Sequence, residues 1–275
     1  MVIMLQHLLY GIIFLRQKSN KMKNKPLILV VNDDGMGSTG ISVLSSIVRE
    51  IGDVYVVAPD TNRSGLSHAM TLHEDICVEH VNAKKNEFIC SGTPVDCVKL
   101  AVNQILPRLP DLCVSGINHG SNHSINGLYS GTLHAAMEST IQGVPSIAFS
   151  HLSYLESTSL NPFRNIIKDI CLKTLRYNVP DGITLNINFP DVHFDEIKGL
   201  KICVQSKGSW KENFKLVHSD NLMKRYSISG QFHSDKTDLK SDSWALANNF
   251  ISIVPVSVYY GAYLVNELKY LDYDF

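Results

Sequence analysis

Two adjacent carboxylates, Asp33 and Asp34, follow an apolar run over residues 27–31 that predicts a buried strand. The G-x-G-x-x-G pattern over residues 35–40 comes next and is typical of a dinucleotide-binding turn, with Asp60 suitably placed to bind a ribose. Two fixed carboxylates would repel a pyrophosphate by several kcal/mol in a partly desolvated site. A divalent cation between the carboxylates and the phosphate turns this repulsion into attraction. Because Mg²⁺ and Mn²⁺ prefer hard oxygen ligands, the pair favours a metal site over a dinucleotide site.

The two carboxylates also have a simpler explanation, a solvated turn in which one Asp caps the helix that follows. Asp is a good N-cap residue, and this explanation would suffice for a single Asp. The tandem pair is flanked by Asn32 and Gly35 at the end of the first predicted strand. That setting favours a functional role, and capping stays open as the alternative.

Composition and charge restrict the class of protein. The chain has 275 residues, of which 44% are hydrophobic and 19% charged, which is ordinary for a globular protein and argues against disorder. The formal net charge of -1 provides no general basic field for nucleic acid or an anionic membrane, so neither is expected as a partner. The six cysteines are scattered without a C-x-x-C pair, which fits a reduced, cytoplasmic protein.

The first 25 residues differ from the rest of the chain. Residues 1–15 are apolar and are followed by basic residues, whereas a secretory signal has its basic residues before the apolar stretch. The apolar stretch is also shorter than the ~20 residues that span a bilayer. We interpret residues 1–25 as an extension, with Met22 as the natural start. A short amphiphilic tail and a membrane anchor are the alternatives.

From residue 27 onward, apolar runs alternate with amphipathic helical patterns. Continuous apolar strands alternating with helices indicate a mostly parallel sheet covered on both faces, and so an α/β fold of three layers. The predicted strands cover residues 27–31, 54–58, 112–116, 145–149 and 183–190, and the predicted helices cover residues 40–51, 95–106, 132–142 and 161–177.

After about residue 200 the sequence becomes β-rich. We predict a hairpin arm, a returning strand and a short C-terminal helix near residues 264–270. Without a long linker, residues 26–275 form a single domain, with a core over about 26–200 and an arm over about 201–275. The apolar strands and aromatic residues of the arm would expose a large patch on a monomer, so we expect a homo-oligomer.

The loops after the predicted strands are where chemistry is expected, because ligands of a parallel sheet bind beyond the carboxyl ends of its strands. Ser130, Gly131 and Thr132 directly precede a predicted helix, so their hydroxyls and free N–H groups would face an incoming phosphate. Simple N-capping by Thr132 is the alternative. The four unusual loops cover residues 32–35, 59–68, 91–94 and 115–132.

Four motifs in these loops resemble those of the SurE family of survival-protein nucleotidases. They are NDDG, APDTNRSGLSHAMTL, SGTPVDCVKLA and VSGINHGSN…YSGTLHAAMES, collinear from about residue 26 to residue 150. Weaker similarity continues through DSWALANNFISIVPV. The resemblance implies a Rossmann-like core, an oligomerising tail that gives a homodimer or homotetramer, and a phosphatase that uses one divalent cation per subunit, Mg²⁺ or Mn²⁺, to hydrolyse nucleoside monophosphates.

The resemblance also implies which residues form the site. Asp33 is expected to orient the attacking water, and Asn118 to polarise the phosphoryl oxygens. Ser124 departs from the family pattern, which has a glycine there, and so does the segment around Asn126. The expected metal ligands are Asp33, Asp34, Ser64 and Asn118, and the expected phosphate-binding residues are Asn122, Ser130, Gly131 and Thr132.

Other chemistries remain as alternatives. His119 and His123 are four residues apart but lie on a glycine-rich loop, where they would not share a face as zinc ligands do. Ser64 could act as a nucleophile only with a nearby base such as His68. A phosphoaspartate-forming hydrolase typically needs a second Asp two positions later, whereas Asp33 has an adjacent one. A non-catalytic, nucleotide-binding stress protein is the alternative from a different class.

Overall fold

The central layer of the protein is a sheet, and it contains most of the strands. A computed structural model describes residues 25–155, 157–177, 179–220 and 222–260; the predicted terminal helix and residues 1–24 lie outside them. The strands are β1 (Leu27–Val31), β2 (Asp53–Pro59), β3 (Val78–Asn82), β4 (Glu87–Cys90), β5 (Leu112–His119), β6 (Ser146–His151), β7 (Ile183–Phe189), β8 (Gly199–Ile202), β9 (Gly208–Ser219), β10 (Lys224–Ser234) and β11 (Phe250–Ser257).

Nine of these strands form the central sheet, in the order β3-β4-β2-β1-β5-β6-β7-β11-β8. Strand β1 pairs in parallel with β2 and β5, and parallel pairing continues outward to β4 on one side and β7 on the other. Strand β3 is antiparallel to β4, and β11 is antiparallel to β7. The prediction of a mostly parallel α/β sheet is confirmed.

Helices cover both faces of the sheet because successive residues of a strand point to opposite sides. Ile28 and Val30 of β1 pack in one apolar cluster with the helices over residues 39–48 and 164–177, while Leu29 and Val31 pack in another with the helices over residues 94–100 and 131–141. This arrangement gives the three predicted layers. The helices are α1 (Thr39–Val48), α2 (Pro94–Leu100), α3 (Gly131–Ile141), α4 (Arg164–Tyr177) and α5 (Asp242–Ala247).

Three strands of the sheet, β3, β4 and β8, are missing from the sequence prediction. They are four or five residues long and mostly exposed or half-buried, so they lack the continuous apolar run that marks a buried strand. The predicted helix over 95–106 also differs, since α2 ends at Leu100 and a π-helical turn, Ala101–Ile105, follows.

The β-rich tail contains a hairpin arm and a returning strand, as predicted. Strands β9 and β10 form a separate two-stranded antiparallel sheet whose residues are almost all exposed. The chain then returns through α5 to β11, which enters the central sheet between β7 and β8. Among the described residues, no helix is both long and apolar enough to cross a membrane.

Gly40, the last glycine of the G-x-G-x-x-G pattern, allows α1 to approach the sheet. A Cβ atom at Gly40 would lie 2.0 Å from the carbonyl oxygen of Ile117 in β5, so a larger residue does not fit. Gly37 in the same pattern has no heavy atom within 4 Å of such a Cβ. The last glycine therefore serves the packing of helix on sheet.

These two glycines provide a matched test of that packing. Gly40→Ala should lower the free energy of unfolding by about 1–3 kcal/mol, because the helix must move away from the backbone of β5. Gly37→Ala should leave stability nearly unchanged. Urea denaturation of both variants measures the difference, and equal stability of the two would contradict the assigned role of Gly40.

Candidate active site

The candidate site lies where the direction of strand addition reverses. From β1 the chain adds β2 and β4 on one side of the sheet and later adds β5, β6 and β7 on the other side. The connections that follow β1 and β5 therefore run in opposite directions across the sheet. The crevice between them is a topological switch point, the usual place for a ligand in such a sheet. A cavity of about 990 Å³ opens there.

All four residues expected to bind a metal line this cavity. Asp33 and Asp34 come from the loop after β1, Ser64 from the loop after β2, and Asn118 from the end of β5. Asp33 is buried, Asp34 and Asn118 are half-buried, and Ser64 is exposed. The structure thus brings together two carboxylates, one amide and one hydroxyl from three separate segments.

Asp33 is held against the first turn of α3. The Thr132 hydroxyl donates a short hydrogen bond to Oδ1 of Asp33. Gly131 leaves room for this contact, since a Cβ there would lie only 2.8 Å from Oδ2 of Asp33. Burial raises the pKa of Asp33 above its ordinary value of 3.8, although hydrogen bonds from Thr132 and Gly131 oppose the rise. No Lys or Arg side chain of the described residues forms an ion pair with Asp33.

Asn32 fixes the turn that carries the two carboxylates. Its side-chain nitrogen donates to the Gly35 carbonyl at 3.0 Å and to the Ser38 hydroxyl at 2.8 Å, and its oxygen accepts from the Gly35 N–H. Ser38 is the N-cap of α1, so the alternative that Asp33 or Asp34 caps this helix is wrong.

Asn118 lies where β5 departs from regular pairing with β6. The register of the two strands shifts between Ser115 and Asn118. The side-chain nitrogen of Asn118 donates to the Gly120 carbonyl at 2.7 Å. That hydrogen bond uses one N–H of the Asn118 amide within the loop, and the amide oxygen is the atom that could coordinate a cation.

The expected phosphate-binding residues divide into two groups. Asn122 and Ser130 line the cavity, whereas Gly131 and Thr132 face Asp33. The Ser130 hydroxyl accepts from the Leu133 N–H at 2.9 Å and is the N-cap of α3, so N-capping by Thr132 is wrong.

Two asparagines of β7, not identified from the sequence, hold the loop around Asn122. The Asn188 side-chain oxygen accepts from the Asn122 N–H, and the Asn186 side-chain nitrogen donates to the Asn122 carbonyl, both at 2.8 Å. The Asn122 side chain in turn donates to Ser150 in β6. Asparagines at alternate positions of the apolar strand ITLNINF were the available signal, because buried amides need partners.

Asp242, at the start of α5, fixes the next part of the same loop. Its buried carboxylate accepts from the backbone N–H groups of Ser124 and Ser206, at 2.8 and 2.9 Å. Ser124 has a φ of 54°, a conformation that favours glycine, and its hydroxyl donates to the Ser206 carbonyl. The serine that departs from the family pattern therefore keeps the backbone conformation expected of a glycine.

The His68 ring is hydrogen-bonded to Glu138, and no hydrogen bond joins it to Ser64 among the described residues. Its Nε2 atom is 3.0 Å from Oε2 of Glu138 in α3. The Lys99 ammonium donates to the other oxygen of Glu138 at 2.8 Å. The side chain of Glu138 is only 3% exposed, and its hydrogen bonds with His68 and Lys99 outweigh burial and lower its pKa to about 2.

The histidines considered as zinc ligands have different surroundings. His119 lines the cavity, whereas the His123 ring packs edge-on against Phe232 of the hairpin at 5.4 Å. Across the described part of the chain, no group of three or more His, Cys, Asp or Glu side chains is arranged to hold a metal. The four residues expected to bind a metal offer oxygen atoms from two carboxylates, a hydroxyl and an amide, which suit a hard cation.

The family model "Survival protein SurE" matches residues 28–212. The chain belongs to the SurE family. The 5'-nucleotidase SurE of Flavobacterium psychrophilum is 47% identical over 236 residues, which cover 85% of this chain and 92% of that protein. The 5'-nucleotidase SurE of Flavobacterium johnsoniae is 46% identical over 84% of this chain and 91% of its own length.

A solved structure shows the same fold. The crystal structure of the SurE protein from Aquifex aeolicus has a TM-score of 0.77 and 36% identity, and the match covers 90% of this chain and 99% of that one. The resemblance predicted from the four loop motifs is confirmed. The match covers most of the chain rather than the motifs alone.

The opposite pKa shifts of two buried carboxylates predict opposite effects on stability. Asp33 has a raised pKa, so the folded protein loses stability as the pH rises from about 4 through that pKa. Asp33→Asn should therefore melt at the same or a higher temperature than the wild type at pH 7 in EDTA. The difference should shrink towards pH 4.

Glu138 supplies the comparison of opposite sign. Its pKa of about 2 means that its contribution is present above pH 4.5 and is lost as the pH falls towards 2. Glu138→Gln should cost about 1.5–3 kcal/mol at pH 7, because hydrogen bonds to a charged group are lost. Thermal melts between about pH 2.5 and pH 7 test both effects, because the Glu138 contribution changes only below pH 4.5. A clear destabilisation by Asp33→Asn in EDTA would contradict the assigned cost of burial.

Proposed function

We propose that this protein is a divalent-metal-dependent phosphomonoesterase that hydrolyses nucleoside monophosphates to nucleoside and phosphate. The observation that carries the proposal is the meeting of Asp33 and Asp34 with the N-terminus of α3 at the switch point of the sheet. Relatives at 40–47% identity carry the name 5'-nucleotidase SurE, which supports the same substrate class.

The residues present fit a divalent cation. Burial of the Asp33 carboxylate is unfavourable when no basic side chain of the described residues pairs with it, and a cation would offset that cost. We propose Asp33, Asp34, Ser64 and Asn118 as the protein ligands, with Mg²⁺ or Mn²⁺ as the metal, one per subunit. The chemistry that such a cation supplies is neutralisation of phosphate charge and activation of a water molecule.

The phosphate would lie between the metal ligands and the start of α3. Asn122 and Ser130 face the cavity there, and we propose that they contact the phosphate oxygens directly. The positive end of the α3 dipole adds a favourable field for the anion. Thr132 and Gly131 act on the substrate through Asp33, because both hold that carboxylate in place.

The protein side chains have distinct parts in the reaction. Asp33 orients the water for in-line attack on phosphorus, and its fixed hydrogen bond to Thr132 limits the carboxylate to one orientation. The second N–H of the Asn118 amide, which is not the one bound to the Gly120 carbonyl, polarises the phosphoryl oxygens as negative charge shifts towards the leaving oxygen. Such preorganised groups lower the barrier because they need no rearrangement during the reaction.

The structure gives reasons to prefer this mechanism over the two rivals. A phosphoaspartate mechanism needs an accessible nucleophile, whereas the Asp33 side chain is buried and engaged by Thr132. Trapping of an acyl-phosphate would support that rival. A non-catalytic nucleotide-binding protein would need neither carboxylate for binding, and the following assay separates it from an enzyme.

Activity should depend on the metal and on both carboxylates. Hydrolysis of p-nitrophenyl phosphate and of a nucleoside monophosphate panel should require Mn²⁺ or Mg²⁺ and stop in EDTA. Asp34→Asn should lose most of this activity, because the lower negative charge of the ligands weakens binding of the cation. Asp60→Asn, at another carboxylate of the same cavity, should retain activity, whereas a dinucleotide turn would need it. Wild-type turnover by Asp34→Asn would refute the metal site.

The hydrogen bond from Thr132 to Asp33 can be tested with a matched pair of variants. Thr132→Val keeps the shape of the side chain but removes the donor, so the affinity for Mn²⁺ should fall about 10- to 100-fold. Thr132→Ser keeps the hydroxyl and should bind Mn²⁺ nearly as the wild type does. Isothermal titration with Mn²⁺ measures both, and equal affinities of the Val and Ser variants would exclude this role.

We also propose that the hairpin arm forms a homodimer or homotetramer. Leu216 and Tyr226 form a cross-strand pair on the same face of the arm as Phe214, and these three side chains are 48–62% exposed. An apolar face of this kind usually meets a protein partner. All six cysteines are unpaired, which is in keeping with a cytoplasmic location.

The oligomer should depend on the apolar face of the arm. The double variant with Leu216→Lys and Tyr226→Lys places two positive charges directly opposite each other on this face and should dissociate the oligomer. Lys215→Ala changes the other face and should leave the assembly intact. Light scattering during gel filtration reports the mass, and a monomeric wild type at micromolar concentration would contradict the proposal.

A further inference from the structure

The cavity is much larger than a phosphate and a cation require. Its volume of about 990 Å³ is at the upper end of the range for small-molecule sites. The metal and phosphate residues occupy the end against the sheet. The rest of the cavity extends outward between the loop after β6 and the hairpin arm, where its wall includes Tyr154, Trp210 and Ile228.

Tyr154 is an exposed aromatic side chain held in a fixed place. It is 70% exposed, yet its ring rests against Gly120, where an added Cβ would lie 2.5 Å from Cε1 of the ring. The Gly120 N–H donates to the carbonyls of His151 and Ser153, both at 2.9 Å. These bonds join the two loops, so the ring is fixed beside the segment that carries Asn118 and Asn122.

The hairpin forms the facing wall. Trp210 is half-buried, and its indole N–H donates to the Asn126 side chain at 2.9 Å, which ties β9 to the loop beneath it. Ile228 and Glu212 lie on the same face of the hairpin and line the outer part of the cavity. Apart from the Glu212 carboxylate, the large side chains of the outer cavity are aromatic or apolar, unlike those of the polar end at the sheet.

We propose that Tyr154 is the residue on which the nucleobase of the substrate stacks, with Trp210 and Ile228 closing the opposite side. This inference rests on the proposed function, because it assigns the part of a nucleoside monophosphate that lies beyond the phosphate. An aromatic ring accepts any base, since every base has a flat π face. Stacking on Tyr154 therefore gives affinity for nucleotides over small phosphate esters with little preference among bases.

The test compares two substrates that differ only in the base. Tyr154→Ala should raise KM for adenosine 5'-monophosphate about 5- to 150-fold, the range expected for loss of one base–aromatic stack. Its KM for ribose 5-phosphate should stay within about twofold of the wild-type value. Tyr154→Phe keeps the ring and should behave as the wild type does. Leu155→Ala, at an exposed neighbour that does not line the cavity, is the matched control.

A binding measurement separates failure of this inference from failure of the proposed function. Calorimetric titration with adenosine in EDTA needs neither metal nor turnover. Tyr154→Ala should lower the affinity for adenosine by the same factor as it raises KM for adenosine 5'-monophosphate. An inactive wild type that binds adenosine through Tyr154 would refute the enzyme but keep the stacking site. If Tyr154→Ala binds adenosine as well as the wild type does, or raises KM equally for both substrates, the stacking role is wrong.

Discussion

The burial of the Asp33 carboxylate against the first turn of α3 is the constraint on which the site depends. A buried carboxylate is costly unless hydrogen bonds or a positive charge stabilise it. Hydrogen bonds from Thr132 and Gly131, together with the helix dipole, partly stabilise the carboxylate. Burial outweighs these interactions, so the pKa of Asp33 is raised. We propose that a divalent cation bound by Asp33 offsets the remaining cost.

The central fold could be predicted from the sequence because its signals are local. Residues 27–31 form a continuous apolar run, and the observed β1 covers the same residues. The NDDG turn predicts a functional site because capping a helix needs only one Asp, whereas this turn has two adjacent carboxylates. In the structure, both carboxylates line the cavity. The short edge strands escaped prediction because half-exposed segments such as β4 carry little periodic signal.

The surroundings of the site could not be predicted, because they depend on contacts between distant parts of the chain. Asn188 binds the backbone of Asn122, 66 residues away, and Asp242 binds that of Ser124, 118 residues away. Nothing in the sequence near Tyr154 indicates that its ring lies on Gly120. Motifs therefore identify the groups that we propose to take part in the reaction, whereas the residues that position them are seen only in the folded structure.

The central claim is that Asp33 and Asp34 together bind a divalent cation, and anomalous diffraction from Mn²⁺-soaked crystals tests it most directly. We expect one strong peak per chain, about 2–2.6 Å from a carboxylate oxygen of each aspartate. Ser64 and Asn118 should be close enough to complete the coordination. Absence of a peak at this pair under saturating Mn²⁺, or a stronger peak at His119, would contradict the account.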